Sequence, residues 1–394
     1  MKGSEGRIIT THTGSLPRPR SLLAPLHAKD SGDSYDRKIL ARDVRAAVTE
    51  TVGRQVKLGI DVVDDGEVSK SSFATYANSR IGGLQLDRRP PRHITRPTRD
   101  ALEFPKVYEE MKVMFAARMA HAGRLPDTTS MVCTGPIKYI GQDDTKADLD
   151  NLKAALKGVN AAEAFVPSIA PSNIETTTPN EYYPNQEAYV FAIAEAMREE
   201  YKAIVDAGFL LQIDDPFLVT YYITRPDLSI AECRKWGELR VEALNAALKD
   251  IPADRVRFHT CYSINMGPRI HDMQLKDVID IILKVNAGAY TFEAANPRHE
   301  HEWDEWRSAK TPDDKVLIPG VITQSTVLVE HPELVAQRLC RFADVVGRER
   351  VIAGADCGFA SFAGSNEVHP SIVWAKFNSL VEGARIASKK LWKK

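Results

Sequence analysis

Short apolar runs that end in small or polar residues recur along the chain, and they alternate with longer stretches whose apolar positions repeat every three to four residues. Runs rich in β-branched residues and bounded by Gly or Pro predict strands. The segments that qualify are Ile8–Ser15, Val62–Glu67, Met131–Pro136, Phe165–Ser172, Phe209–Pro216, Val256–Ser263, Ala289–Asn296, Val316–Ile322 and Val351–Gly358. Between them, Tyr35–Leu58 sets Ile39, Val44, Val48, Val52 and Val56 close to one helical face, and Gln186–Ala207, Asp272–Ala287 and His331–Val346 read as further helices. Strands that alternate with helices pair in parallel through helical crossovers. About eight such repeats predict an α/β fold of the (β/α)8 TIM-barrel type. There is one candidate strand too many for such a wall, so one of them must lie outside it.

The polar residues cluster at the C-terminal ends of these strands, in DDGE, CTGP, IDDP, HTCYS, FEAAN and GADCG. Any one of these is explained by turn chemistry. Together they point to a shared site at the mouth of the barrel, where the loops of this fold build active sites. The rhythm breaks at Leu84–Asp100, which is rich in proline and arginine and reads as a surface loop over that mouth. Its arginines are either an attraction for an anionic substrate or a solvated face. The chain is therefore expected to be a single barrel domain over residues 1–394, with an inserted surface loop around 84–130.

Composition narrows the class. The 394 residues are 43% apolar and 27% charged, with a net charge of −1, which suits a globular protein and gives no global attraction to nucleic acid or anionic lipid. No run of apolar residues is long enough for a membrane span or a secretory signal, so a cytoplasmic location is expected. The 5 cysteines are sparse and odd in number, which argues against a disulfide framework and for free thiols or metal ligands.

The sharpest chemical signal is His259-Thr260-Cys261. Residues two apart on a strand share a face, so one imidazole and one thiolate can reach a single ion. That pair suits Zn²⁺. Cys357 ends its own candidate strand and supplies a third ligand, and Glu293 at the end of AYTFE offers a fourth. Two thiolates lower the Lewis acidity of the ion, so such a site suits activation of another thiol better than hydrolysis. Cys133, Cys233 and Cys340 read as packing residues.

The ordered segments THTGSLP, DDGE, CTGPI, QIDDP, HTCYS, FEAANPRHEHEW, PGVI and GADCGF, running from residue 10 to residue 359, resemble the catalytic domain of cobalamin-independent methionine synthase and its short relatives, which include epoxyalkane:coenzyme M transferase-like proteins. The resemblance implies a uroporphyrinogen decarboxylase/methionine synthase-like barrel with zinc at its C-terminal mouth. It implies His259, Cys261 and Cys357 as zinc ligands and Glu293 as an exchangeable carboxylate. By position it also implies Glu67 and Asp214 as partners of the acceptor's amino group, and Ser15, in Thr13-Gly14-Ser15-Leu16, as a contact of its carboxylate.

The expected activity is transfer of a methyl or other alkyl group to a homocysteine-like thiol, with a small-molecule thiol and an alkyl donor as partners. The synthase's Trp-containing segment for folate is replaced by IAPSNIETTT, which leaves a methylated corrinoid protein, a thioether or an epoxide as donors. Opening of an epoxide by coenzyme M, a metal-free decarboxylase-like reaction, and a non-catalytic zinc or thiol carrier stay open as alternatives. If an acid is needed, Tyr182, Tyr183 and His12 are the candidates. His299 and His301 read either as anion-binding or acid groups or as exposed residues at a helix start.

Overall fold

The computed structural model describes residues 1–87, 89, 97–121, 130–262, 267–364 and 368–393. Its strands are β1 (Val62–Val63), β2 (Ile81–Asp87), β3 (Ser130–Tyr139), β4 (Glu163–Ile169), β5 (Leu210–Asp214), β6 (Val256–Thr260), β7 (Ala289–Phe292), β8 (Val316–Ile322) and β9 (Gly354–Ala355). Seven of them form one parallel sheet in the order β1-β4-β5-β6-β7-β8-β9. The N-terminal segment takes the eighth place. The Ala353 amide donates to Ile9 and the Thr11 amide to Ala353, while the Thr10 carbonyl accepts the amides of Asp61 and Val62. This segment therefore bonds to the chain on both edges of the curled sheet.

The surplus candidate strand is Met131–Pro136. It lies in β3, which pairs antiparallel with β2 outside the wall. Leu84–Asp100, expected as a loop, begins as the second half of β2, and its residues 88 and 90–96 fall outside the described set. Arg89 is tied to Asp87 and Glu181, and Arg99 donates to the carbonyls of Tyr222, Arg225 and Leu228. Arg89 is exposed to solvent within its ion pairs, whereas Arg99 is part-buried against those carbonyls. The rest of the excursion holds two helices, Arg99–Glu103 and Pro105–His121.

A buried carboxylate clasps the hairpin to the barrel. Glu200 lies on helix Gln186–Asp206, and its Oε2 accepts from Arg80 Nη1 at 3.2 Å and Tyr139 Oη at 2.6 Å. Its Oε1 accepts from Tyr76 Oη and Ser168 Oγ, both at 2.7 Å. Burial opposes the charge of Glu200, yet Arg80, Lys70 and these hydroxyls outweigh it and hold the carboxyl down at about 2.

Two cores follow from strand alternation. Phe165, Leu210, Ala289 and Ile318 point inward and join Ile9, Val62 and Ile352 as an apolar plug in the barrel floor. Their chain neighbours Val166, Leu211, Tyr290 and Leu317 point outward into the larger core beneath the helices. Helices Arg37–Leu58, Gln186–Asp206 and Pro332–Val346 lie close to where periodicity put them. The helix expected over Asp272–Ala287 shrinks to a 3-10 turn at Leu275–Asp277 and one turn at Ile279–Ile282. The reason is local. The Met273 carbonyl accepts Tyr262 Oη and the Leu275 amide donates to Glu302, so backbone groups that a helix would use are engaged elsewhere.

Candidate metal centre and substrate cavity

Counting by twos up the inward faces leads from the apolar floor to the polar mouth. Leu210 leads to Gln212 and Asp214, and Ala289 leads to Thr291 and Glu293. On β6 the same step runs from Arg257 through His259 to Cys261. Arg257 is fully buried, donates to Thr11 Oγ1 and the His12 carbonyl, and covers the Phe165 ring at 4.0 Å. It ties β6 to the N-terminal segment below the site.

His259, Cys261 and Cys357 converge. One ligand atom from each lies within 4.8 Å of the other two, and all three residues are buried. The two sulfurs are 3.2 Å apart. His259 Nδ1 is buried with no hydrogen-bond partner among the described residues. The adjacent Cys261 sulfur, and burial after it, push the Cys357 thiol well above its ordinary range. Two buried sulfurs in contact cannot both ionise without a cation between them. An open imidazole nitrogen beside two such sulfurs is a donor set that fits Zn²⁺.

Glu293 stands apart from this trio. Its Oε1 accepts from the Tyr262 amide and its Oε2 from Asn296 Nδ2, both at 2.8 Å. Burial, together with the charges of Asp356 and Cys261, raises its carboxyl to about 8. Asp356 precedes Cys357 and accepts from the amides of Ala294 and Ala295, which ties the loop after β7 to the loop that carries the second cysteine. Sequence reasoning passed over Asp356, although it lies inside the GADCG segment.

The residues placed by resemblance open into the same cavity. A space of about 420 Å³ is lined by His259, Cys261 and Cys357 together with Ser15, Glu67 and Asp214. Glu67 is held in the left-handed region, with φ 53°, unusual for a residue with a side chain. The turn that holds it is over-determined: its amide donates to Asp65 Oδ1, and its carbonyl accepts from Arg18 Nη2 and the Lys70 amide. Its Oε2 is buried without a partner among the described residues. Asp214 accepts from Gln212, and burial together with the nearby Glu67 raises its carboxyl to about 7 against the opposing effect of His259.

Two glycines make the close approaches possible. A Cβ at Gly14, whose φ is +130°, would lie 2.9 Å from Glu67 Oε1, and a Cβ at Gly358 would lie 2.0 Å from Ser15 Oγ. The Phe359 amide donates to the Ser15 carbonyl, so the Ser15 loop and the Cys357 loop are joined.

Other candidates fall elsewhere. His12 is buried against Gln55, and burial lowers its pKa to about 4. Tyr182 is 52% exposed, and Tyr183 Oη accepts the Ile137 amide. None of the three lines the cavity. His301 is exposed, but His299 is buried between Asp272 and Glu302 and stacks on Tyr262 with ring centroids 3.6 Å apart. Burial opposes its charge, and its hydrogen bonds to the two carboxylates overcome that and raise it to about 9. Cys133, Cys233 and Cys340 are free thiols on β3 and on the outer helices, outside the trio.

A parallel barrel whose mouth gathers an imidazole, two thiols and two acids defines a class of barrels with a sulfur-rich candidate metal site. Comparison with known proteins gives the family. The model of the cobalamin-independent synthase catalytic domain matches residues 170–375, and the chain belongs to this cobalamin-independent methionine synthase family. A methionine synthase of Saccharolobus islandicus is 26% identical over 98% of the chain and 96% of its own length. One from Thermococcus kodakarensis is 25% identical over 97% of the chain and 94% of its own length. Among solved structures, a B12-independent methionine synthase from Shewanella sp. W3-18-1, in complex with selenomethionine, shares the fold with a TM-score of 0.72 at 19% identity, covering 98% of this chain and 100% of that one. Among the described residues no helix is long and apolar enough to cross a membrane.

Proposed function

We propose that the chain is a zinc-dependent transferase that moves a methyl or other alkyl group onto the sulfur of a homocysteine-like thiol. The observation that carries this reading is the meeting of His259, Cys261 and Cys357 in one cavity with Glu67 and Asp214. His259, Cys261 and Cys357 would hold the ion, with Glu293 as the exchangeable carboxylate. Bound there, zinc supplies the positive charge that keeps a substrate sulfur deprotonated at neutral pH. Glu67 and Asp214 pair with the acceptor's ammonium group, and Ser15 with its carboxylate. Phe73, Phe217 and Phe362 line the same cavity, keep water out and align the donor with the sulfur. Relatives named methionine synthases support this activity.

The reading treats residues 1–394 as one working unit with the excursion around 84–130 over its mouth, in a reducing compartment such as the cytoplasm that keeps the cysteines free. The donor is a small molecule or a methylated corrinoid protein. Coenzyme M as the acceptor is disfavoured by the acid pair, because that thiol has a sulfonate and no amine. The test is metal analysis followed by a screen of thiol acceptors against methylcobalamin, methyl-folate and small epoxides. About one zinc per chain is expected. Cys357→Ala should lose metal and turnover together; full turnover by that variant would reject the assignment.

A further inference from the structure

One buried cation in the cavity has no part in the roles assigned above. Arg269 lines the space beside Cys261, Tyr262 and Cys357, and only 8% of it is exposed. Its Nε and Nη2 both donate to a single oxygen, Asp272 Oδ1, at 3.3 and 3.1 Å. Its Nη1 donates to no described residue.

The segment that carries Arg269 is fastened from several directions. The Ile270 and His271 amides donate to Asp100 Oδ1 at 2.9 and 3.1 Å, and Tyr108 Oη donates to the Pro268 carbonyl. Arg298 Nη2 donates to the Ile270 carbonyl. Asp272, which aims the guanidinium, is gripped through its second oxygen by His299 Nε2 at 3.2 Å. A guanidinium held this firmly, with one edge of its fork unused, is prepared for a carboxylate or a sulfonate.

Arg269 follows β6 and is held by Asp272 and, through it, by His299 beyond β7, so it lies on the β6–β7 side of the mouth. Glu67 follows β1 and Asp214 ends β5. The reading above gives the acceptor's ammonium to those two acids and its carboxylate to Ser15, which leaves Arg269 for an anion on the second substrate. The remaining cavity wall includes Phe73, Phe217, Ile223 and Phe362, which suits an apolar body. The volume of about 420 Å³ lies within the roughly 300–1,000 Å³ usual for small-molecule sites.

We propose that Arg269 recognises an anionic group on the second substrate, so that the alkyl donor is a small organic acid whose apolar body rests on Phe73, Phe217, Ile223 and Phe362. This rests on the transferase reading above, and it makes Arg269 a specificity residue for the donor.

The test is calorimetric titration of the zinc-loaded protein with 3-phenylpropionate and with its neutral amide, each with and without saturating homocysteine. Wild type should bind the acid about 10-fold or more tighter than the amide, the size expected of a hydrogen bond to a charged group. Arg269→Gln should bring that ratio to about one, Arg269→Lys should restore part of it, and homocysteine binding should change less than about 2-fold in both. Melting temperatures of the two variants check that they fold, and Arg269→Lys carries the comparison if Arg269→Gln does not. Equal binding of acid and amide by wild type would overturn the proposal. So would an unchanged ratio in Arg269→Gln, or a parallel loss of homocysteine, which would give Arg269 to the acceptor. If wild type fails to bind homocysteine, the transferase reading is at fault, and the acid-to-amide ratio without thiol still decides the role of Arg269.

Discussion

Glu67→Gln separates binding of the amino group from everything else at the mouth. Glu67 sits at φ 53°, and its buried Oε2 has no partner among the described residues. A side chain in the left-handed region costs about 1–2 kcal/mol. A buried carboxylate oxygen left unpaired adds to that cost. The fold tolerates both because Asp65, Arg18 and the Lys70 amide lock the turn. If the carboxylate exists to meet an ammonium, the amide variant loses one charged hydrogen bond, worth about 1.5–3 kcal/mol. That is roughly a 10- to 150-fold weaker homocysteine Kd. Titration of the zinc-loaded variant should show this loss with homocysteine and none with 4-mercaptobutyrate, which lacks the amine. The unfolding temperature should not fall, because the variant keeps the backbone and removes a buried charge. An equal loss for both thiols would refute the ammonium role.

Two further outcomes follow from the same structure. With the two sulfurs 3.2 Å apart, metal-stripped protein treated with diamide should form a Cys261–Cys357 disulfide, read by mass spectrometry as the loss of two hydrogens, and zinc should protect. A stripped protein that keeps both thiols would count against their proximity. The Glu200 clasp should act through pH. Its carboxyl, held at about 2 against an ordinary 4.5, contributes stability that is fully present above 4.5 and is lost as pH falls toward 2. The contribution is about 3 kcal/mol at neutral pH. The gap in stability between wild type and Glu200→Gln should therefore narrow between pH 4.5 and pH 3, and a gap that ignores pH would remove Glu200 from that role.

The barrel was legible because strand and helix periodicity are local. Val316–Ile322 is a strand over the range read from sequence, and Arg37–Leu58 begins two residues inside its expected helix. The eight places of the wall were legible as well, but the outsider was not, and its partner strand Ile81–Asp87 was not read at all. Met131–Pro136 has the same composition as a wall strand, and only its partner Ile81–Asp87 shows that it belongs to a hairpin. The candidate metal trio could be read because His259 and Cys261 share one strand end and Cys357 follows another. Arg269 could not, since its meaning depends on Asp100, Asp272 and His299, which lie far apart in sequence and meet only through the fold. The helix expected at Asp272–Ala287 failed for the same reason: its first turn is taken over by Tyr262 and Glu302.

What unites these features is how the inner faces change along the barrel axis. The floor is closed by apolar residues and by Arg257, so water cannot enter from below. On several strands the inward steps toward the mouth exchange an apolar side chain for a polar one, as from Leu210 to Gln212 and from Ala289 to Thr291, and hydrogen bonds tie polar groups together there: Gln212 to Asp214 along β5, Glu293 to the Tyr262 amide after β6, and Asp356 to the backbone after β7. Among the groups at the cavity that no such bond engages are His259 Nδ1 and Glu67 Oε2, and the Nη1 of Arg269 donates to no described residue. One suits a metal, one an ammonium and one an anion. A wall that leaves these three groups facing a shared cavity suits the two ligands of the proposed transfer better than the storage of one.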